Sequence, residues 1–283
     1  MGTILPVVVA LSVLLVHGTD ASRSHITSIE MIPMFRAPIN KTNSSQEDSG
    51  RPLSYFAYHY SATWPDGYYG FIGTMDVYGF PLSKEQGSAA AVWIHDEGDF
   101  ATTSLRAIMI GWDNDGFTTT GCINTKCPGF QPQKGAAIAP GDVIDHVTFP
   151  KQLIKRNLNL KIIKNGSSGD WLVHCGLDRE PELIGRFPRS LFTGGFADKA
   201  KSIGFGAVAY GPITNPTPMG SGYLPTDPKS AASIGNIQLV DKDGHVWPVT
   251  EDLPKFETNG NAYAATPIVS GKFYYGGHEL PKP

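Results

Sequence analysis

An all-β fold, arranged as an antiparallel β-sandwich, is what this sequence predicts, and three observations lead there. The chain has 283 residues with 32 glycines and 22 prolines, few charged residues at 17% and many aromatics at 11%. That composition suits numerous strands joined by tight turns better than a helical bundle. Short apolar or alternating runs recur between turn signals at roughly sandwich spacing. The length suffices for one large domain that buries roughly 70% of its unfolded surface, and all-β domains of this size are ordinary.

The first element is an export signal. Ile4 to Val16 is an almost unbroken apolar run, followed by small residues at Gly18 and Ala21. It is shorter than the about 20 residues a bilayer span requires, and small residues in this place fit signal cleavage. Residues 1–21 are therefore expected to be a signal peptide, and the mature chain to be secreted and extracellular, with no membrane partner after cleavage. Residues 22–52 are polar, broken by Pro33, Pro38 and Pro52, and read as a flexible leader or prosegment remnant without a core. Residues 53–283 are expected to form the sandwich. A net charge of -3 gives no electrostatic reason for a nucleic acid or an anionic membrane as partner. Glycosylation sequons stand at Asn40, Asn43 and Asn165.

From Tyr58 onward strand signals dominate. Tyr68 to Val77 alternates, Ala89 to Ile94 and Leu105 to Trp112 are buried-type runs, and Val143 to Phe149, Leu158 to Ile163 and Trp171 to Val173 continue the series. Asn165-Gly166 lies between two such runs and predicts a hairpin tip. A helix is expected over Ser190 to Lys201, with Leu191, Phe192 and Ala197 toward the sheet, although Gly194 and Gly195 weaken it. Phe205 to Tyr210, Asn236 to Val240 and Lys272 to Tyr275 complete the strands.

Familiar catalytic signatures are missing. The sequence has no Gly-x-Ser-x-Gly elbow, no His-Glu-x-x-His helix and no phosphate loop. His59, His95, His146, His174, His245 and His278 are scattered without metal-ligand spacing, so no metal and no cofactor is expected. In Met219-Gly220-Ser221-Gly222 the paired glycines favour a tight turn over a nucleophile loop around Ser221. Cys122 and Cys127 can close a short loop, and a disulfide there would contribute about 2 kcal/mol in an oxidising compartment. The zinc alternative lacks a second ligand pair. Cys175 is left over and is expected to be buried and inert.

The motifs Gly169-Asp170-Trp171-Leu172, Ile184-Gly185-Arg186-Phe187-Pro188 with Leu191-Phe192, Met219-Gly220-Ser221-Gly222-Tyr223-Leu224-Pro225 and Phe273-Tyr274-Tyr275-Gly276-Gly277 follow Thr120-Gly121-Cys122-Ile123-Asn124 and Cys127-Pro128-Gly129-Phe130. In this order they resemble the neprosin family of secreted plant proteins over nearly all of residues 58 to 280. The resemblance implies a sandwich with a long surface groove and a glutamic-type peptidase cutting next to proline. It also implies a cysteine pair at the spacing of Cys122 and Cys127. Two facing glutamates would share a proton, one activating water and the other protonating the leaving nitrogen. The family's Ile-Glu-Ala-Gly-Trp motif matches Ile108-Met109-Ile110-Gly111-Trp112, and its Trp-Gly-Gly-Glu-Val motif matches Gly204-Phe205-Gly206-Ala207-Val208. Met109 and Ala207 therefore occupy the glutamate positions, and neither moves a proton. After Trp112 the chain also lacks an additional strand that family members carry.

Other acids cluster in turns: Asp96, Glu97 and Asp99; Asp113 and Asp115; Glu180 and Glu182. Such groups are solvated loop tips as a rule. Glu97 and Glu182 are the substitutes to test first. The leading expectation is a neprosin-like protein with impaired catalysis that keeps a groove for an extended peptide, proline-rich ones among them, or a cell-wall polymer. An active peptidase with relocated carboxylates is one alternative. A carbohydrate-binding sandwich using Trp64, Tyr68 and Tyr69 is the other.

Overall fold

The structure, a computed structural model, describes residues 8–15, 53–83, 85–95, 106–113, 129–140, 142–144, 147–152, 154–192 and 194–278. Cys122, Cys127, Glu97, Asn40, Asn43 and the expected leader 22–52 lie outside the described residues. The strands are β1 (Val8–Leu15), β2 (Leu53–Tyr60), β3 (Gly70–Asp76), β4 (Gly87–His95), β5 (Arg106–Asp113), β6 (Gln131–Pro132), β7 (Asn157–Lys164) and β8 (Trp171–Leu177). They continue with β9 (Glu182–Phe187), β10 (Ser202–Gly211), β11 (Met219–Gly220), β12 (Ala232–Val240), β13 (Val246–Pro248), β14 (Lys255–Glu257), β15 (Tyr263–Ala265) and β16 (Phe273–Gly277).

Two antiparallel sheets pack as a sandwich. A six-stranded sheet runs β1-β5-β4-β10-β2-β14. A ten-stranded sheet runs β11-β16-β12-β3-β7-β8-β9-β6, with β13 on β12 and β15 on β16. Period-two alternation fixes which side chains meet between them. Along β7, Leu158, Leu160 and Ile162 are buried while their neighbours are half-exposed. Along β4 all nine residues are buried, so both of its faces are covered. Ala57, Ala90, Val92, Ile94, Ile108, Ile110, Phe205 and Ala207 meet Phe71, Met75, Leu160, Trp171, Val173 and Phe273 in one core.

Several sequence expectations are refined. Ser190 to Lys201 is not a helix but two 3₁₀ turns, Arg189–Leu191 and Gly194–Ala197. The two adjacent glycines cost an α-helix about 1 kcal/mol each, and Gly194 takes φ 62°. None of the described residues between Val143 and Phe149 lies in a strand; Val143 and Thr148 are isolated bridge residues, Thr148 pairing in parallel with Tyr78. The strand β9 was not anticipated. Val8–Leu15, within the expected signal, pairs with β5 from Val8 opposite Asp113 to Leu15 opposite Arg106. The Asn165 hairpin tip is present: Asn165 Oδ1 accepts from Ser167 N at 2.9 Å and from Ser168 N at 3.0 Å.

Buried polar groups tie the layers together. His59, fully buried, places Nδ1 3.0 Å from Leu253 O and Nε2 2.9 Å from Thr266 O, joining β2 to the segments before β14 and β16. Asp76 accepts from Ser233 N at 2.9 Å, from Ser233 Oγ at 3.0 Å and from Lys155 Nζ at 3.0 Å. Cys175 is a buried free cysteine, as expected, and burial pushes its thiol up to about 12. No helix among the described residues is long and apolar enough to cross a membrane.

Candidate functional site

Register across the six-stranded sheet decides where the two glutamate-equivalent positions point. Met109 stands opposite Trp93, Trp93 opposite Gly204, and Gly204 opposite Tyr60. Ala207 stands opposite Ala90 on one side and Ala57 on the other. Directly opposed residues share a face, and successive residues alternate faces. Met109 therefore lies on the outer face and Ala207 on the inner one. Burial agrees: Ala207 belongs to the core between the sheets, Met109 to a separate cluster. The resemblance requires its two glutamates to face one another, so the strand pairing does not support the match at Ala207; the next residue, Val208, is the one that packs against the Met109 cluster.

That separate cluster is aromatic. Phe56, Tyr58, Ala91, Trp93 and Met109 are buried together, with Tyr60 and Val208 packed against them. Tyr58 contacts Trp93 at 5.7 Å, Tyr60 at 6.1 Å and Phe256 at 5.6 Å between ring centroids. Gly206 lets β10 approach β2 closely, because a Cβ there would collide with the Cα and Cβ of Tyr58 and with Ala57 O. Tyr60 and Val208 are half-buried and Phe256 is exposed, so the cluster has a solvent-facing border. Burial, and secondarily the charge of Tyr60, raises the Tyr58 phenol well above its usual range. Among the described residues the buried indole Nε1 of Trp93 has no hydrogen-bond partner. An orphaned donor of this kind calls for an acceptor.

Among the described residues of β2, β4, β10 and β14, register places no acid on this face. Glu182 lies on β9 in the other sheet, where Oε1 accepts from Ala137 N at 3.0 Å and from Arg179 Nη2 at 2.8 Å. Its side chain is 45% exposed, which makes it a surface ion pair and not half of an acid–base dyad.

The motif string has structural occupations. Asp170 ties two motifs together: Oδ2 accepts from Arg186 Nη1 at 3.0 Å, and Oδ1 accepts from Arg189 N at 2.9 Å. Trp171 is fully buried, packs on Phe196 at 6.2 Å and carries Lys164 Nζ 5.1 Å from its ring centroid. In the Met219 turn, Gly220 and Gly222 take φ 62° and 82°, and the fully buried Ser221 accepts from Tyr223 N at 3.3 Å. Ser221 is a turn residue, in agreement with the sequence. At Gly277 a Cβ would collide with Ala262 O.

One grouping was not legible beforehand. Asp241, Asp243 and His245 each bring a ligand atom within 4.8 Å of the others. Hairpin hydrogen bonds account for it: Asp241 Oδ1 accepts from Asp243 N and from His245 N at 2.9 Å, and Oδ2 lies 3.2 Å from His245 Nδ1. Of the aromatics proposed for sugars, Tyr68 is buried and donates to Ala62 O at 2.8 Å. Trp64 is exposed and Tyr69 half-buried.

Two antiparallel sheets, a motif set that shapes turns and strand exits, and an aromatic outer face define a β-sandwich protein. The family model described as Neprosin matches residues 83–278. The chain belongs to the neprosin family, a neprosin-like peptidase family.

Proposed function

We propose that this chain is a secreted neprosin-family protein that binds extended, proline-containing peptides on the outer face of its six-stranded sheet and does not cleave them. The observation that carries this reading is the aromatic cluster around Tyr58 and Trp93, whose solvent-facing border is made by Tyr60, Val208 and Phe256. Extended proline-rich segments dock on aromatic-lined surfaces. Cleavage is left out for a chemical reason. Glutamic-type hydrolysis needs two carboxyl groups close enough to share a proton, and neither Met109, nor Ala207, nor its outward-facing neighbour Val208 carries one.

The test is a tryptophan-fluorescence titration of the secreted chain with a proline-rich peptide, followed by mass analysis of the peptide at acid pH. Saturable binding with an intact peptide is expected. Phe256→Ala removes the exposed ring at the border of the cluster and should weaken binding about fivefold. Peptide cleavage by the purified chain would replace this reading with the active-peptidase one. Absence of binding would remove it.

A further inference from the structure

A cavity of about 530 Å³ opens at one end of the ten-stranded sheet, where the β7–β8 hairpin tip, the β12–β13 turn and the start of β3 converge. The size lies within the range of about 300–1,000 Å³ usual for small-ligand sites. Its charged lining is balanced: Lys164, Arg189 and Lys242 against Asp198, Asp241 and Asp243. Arg189 Nη2 donates to Asp198 Oδ1 at 2.7 Å, and Lys164 Nζ donates to Gly169 O at 2.7 Å. Burial, reinforced by Arg189, lowers the Lys164 ammonium to about 8, with Asp198 and Asp170 opposing. Neither a strongly charged ligand nor an apolar one matches such walls. A neutral molecule rich in hydroxyls does, because each hydroxyl both donates to carboxylates and accepts from amines.

Tyr69 supplies the apolar platform. Its backbone is pinned at both ends, Tyr69 N donating to Val240 O and Lys164 N donating to Tyr69 O, each at 2.8 Å. The half-buried ring lines the cavity. Two of the walls continue into an aromatic pair. Lys199, next to Asp198, donates to Pro65 O beside Trp64, and β13 follows Gly244 and carries Trp247. Trp64 is 52% exposed and its ring lies 6.3 Å from that of Trp247. Rigid amphipathic rings beside alternating polar groups suit the C–H faces and hydroxyl edges of a sugar.

We propose that this cavity is a binding site for a neutral saccharide unit. The sugar has two possible sources. One is a free oligosaccharide. The other is the chain's own glycan, since Asn165 of the Asn-Gly-Ser sequon lines the cavity. Asn165 Oδ1 holds the turn through Ser167 N and Ser168 N, whereas a glycan attaches through the side-chain nitrogen. The site is in a different sheet from the Trp93 face, so it stands or falls independently of peptide binding.

The experiment is an amide NMR titration with N,N′-diacetylchitobiose and with cellotetraose, on glycan-free protein and on protein secreted with its glycans. Saturable shifts of the amides of Gly166 to Gly169 and of Asp243 and Gly244 are expected in glycan-free protein. Tyr69→Ala should weaken them at least tenfold, and Trp93→Phe should leave them unchanged. If the Tyr69 variant does not fold, Asp243→Ala on the exposed turn makes the same decision. Chitobiose shifts that vanish in glycosylated protein, and return with Asn165→Gln, identify the chain's own glycan. Cellotetraose shifts in both preparations identify a free saccharide. No shift at these amides up to about 20 mM sugar, beyond millimolar affinity, overturns the proposal. Shifts that survive both Tyr69→Ala and Asp243→Ala overturn it as well.

Discussion

The two sheets of this sandwich carry different kinds of residue at the positions that define the family. In the ten-stranded sheet, Asp170 bridges Arg186 and the Arg189 backbone, Trp171 fills the core, and Gly277 makes room for Ala262. Replacing any of these opens a cavity, orphans a buried group or forces a clash. In the six-stranded sheet the glutamate-equivalent positions hold Met109 in an aromatic cluster and Ala207 between Ala57 and Ala90. Both residues fit their surroundings without any polar demand. The packing that the motif string secures and the two positions that the sequence resemblance matches to glutamates therefore lie in separate sheets.

The largest effect is expected from trying to erase that difference. Ala207→Glu inserts a carboxylate into a fully buried site closely flanked by strands. Added volume and an unpaired buried acid should together cost about 4 kcal/mol or more in chemical denaturation. Met109→Glu, near the cluster border, should cost less. The double variant should hydrolyse no proline-containing peptide, because its acids would point to opposite faces. Proteolysis restored by the double variant would show that the strands pair in another register.

Next comes a test of the scaffold alone. Trp171→Ala should lower stability by about 3–5 kcal/mol, as expected for removing a large buried aromatic. While the variant remains folded, peptide binding at the Trp93 face should be unchanged. A parallel loss of binding and stability would mean that the two sheets do not act separately.

Much of the sandwich was legible because alternation in β3, β7 and β8 reports burial directly. The strand β9 was hidden by Pro181, Pro188 and Gly185, which read as punctuation although Gly185 is needed where the Phe130 ring presses against its backbone. The expected helix rested on the spacing of Leu191, Phe192 and Ala197, which the 3₁₀ turns reproduce over a shorter length. Motif matching could name Met109 and Ala207 but not their faces, because parity between strands is set by pairing and not by either segment. Tyr68 and Tyr69 illustrate the same point at one-residue scale: adjacent positions send one ring into the core and the other into the cavity. The cavity itself was invisible, since its walls come from segments distant in sequence.

The smallest effect concerns Lys164, the titratable group that joins the scaffold sheet to the cavity. Folding lowers its ammonium from 10.5 to about 8. The unfolded chain therefore holds this proton more firmly, and the folded state is penalised by a constant amount at pH below about 8. The penalty fades as pH rises from about 8 to 10.5, so this group makes stability increase through that window. The side chain is half-buried, and screening should keep the change to about 1 kcal/mol. Lys164→Met removes the titration. Buried tyrosines with raised values, Tyr58 and Tyr263 among them, act in the opposite direction above pH 10 in both proteins. The quantity to measure is thus the difference between wild type and variant in urea denaturation at pH 7 and pH 9.5. The variant's advantage should shrink toward the higher pH. An advantage independent of pH would mean that the amine is fully solvated and that the cavity wall it forms is open.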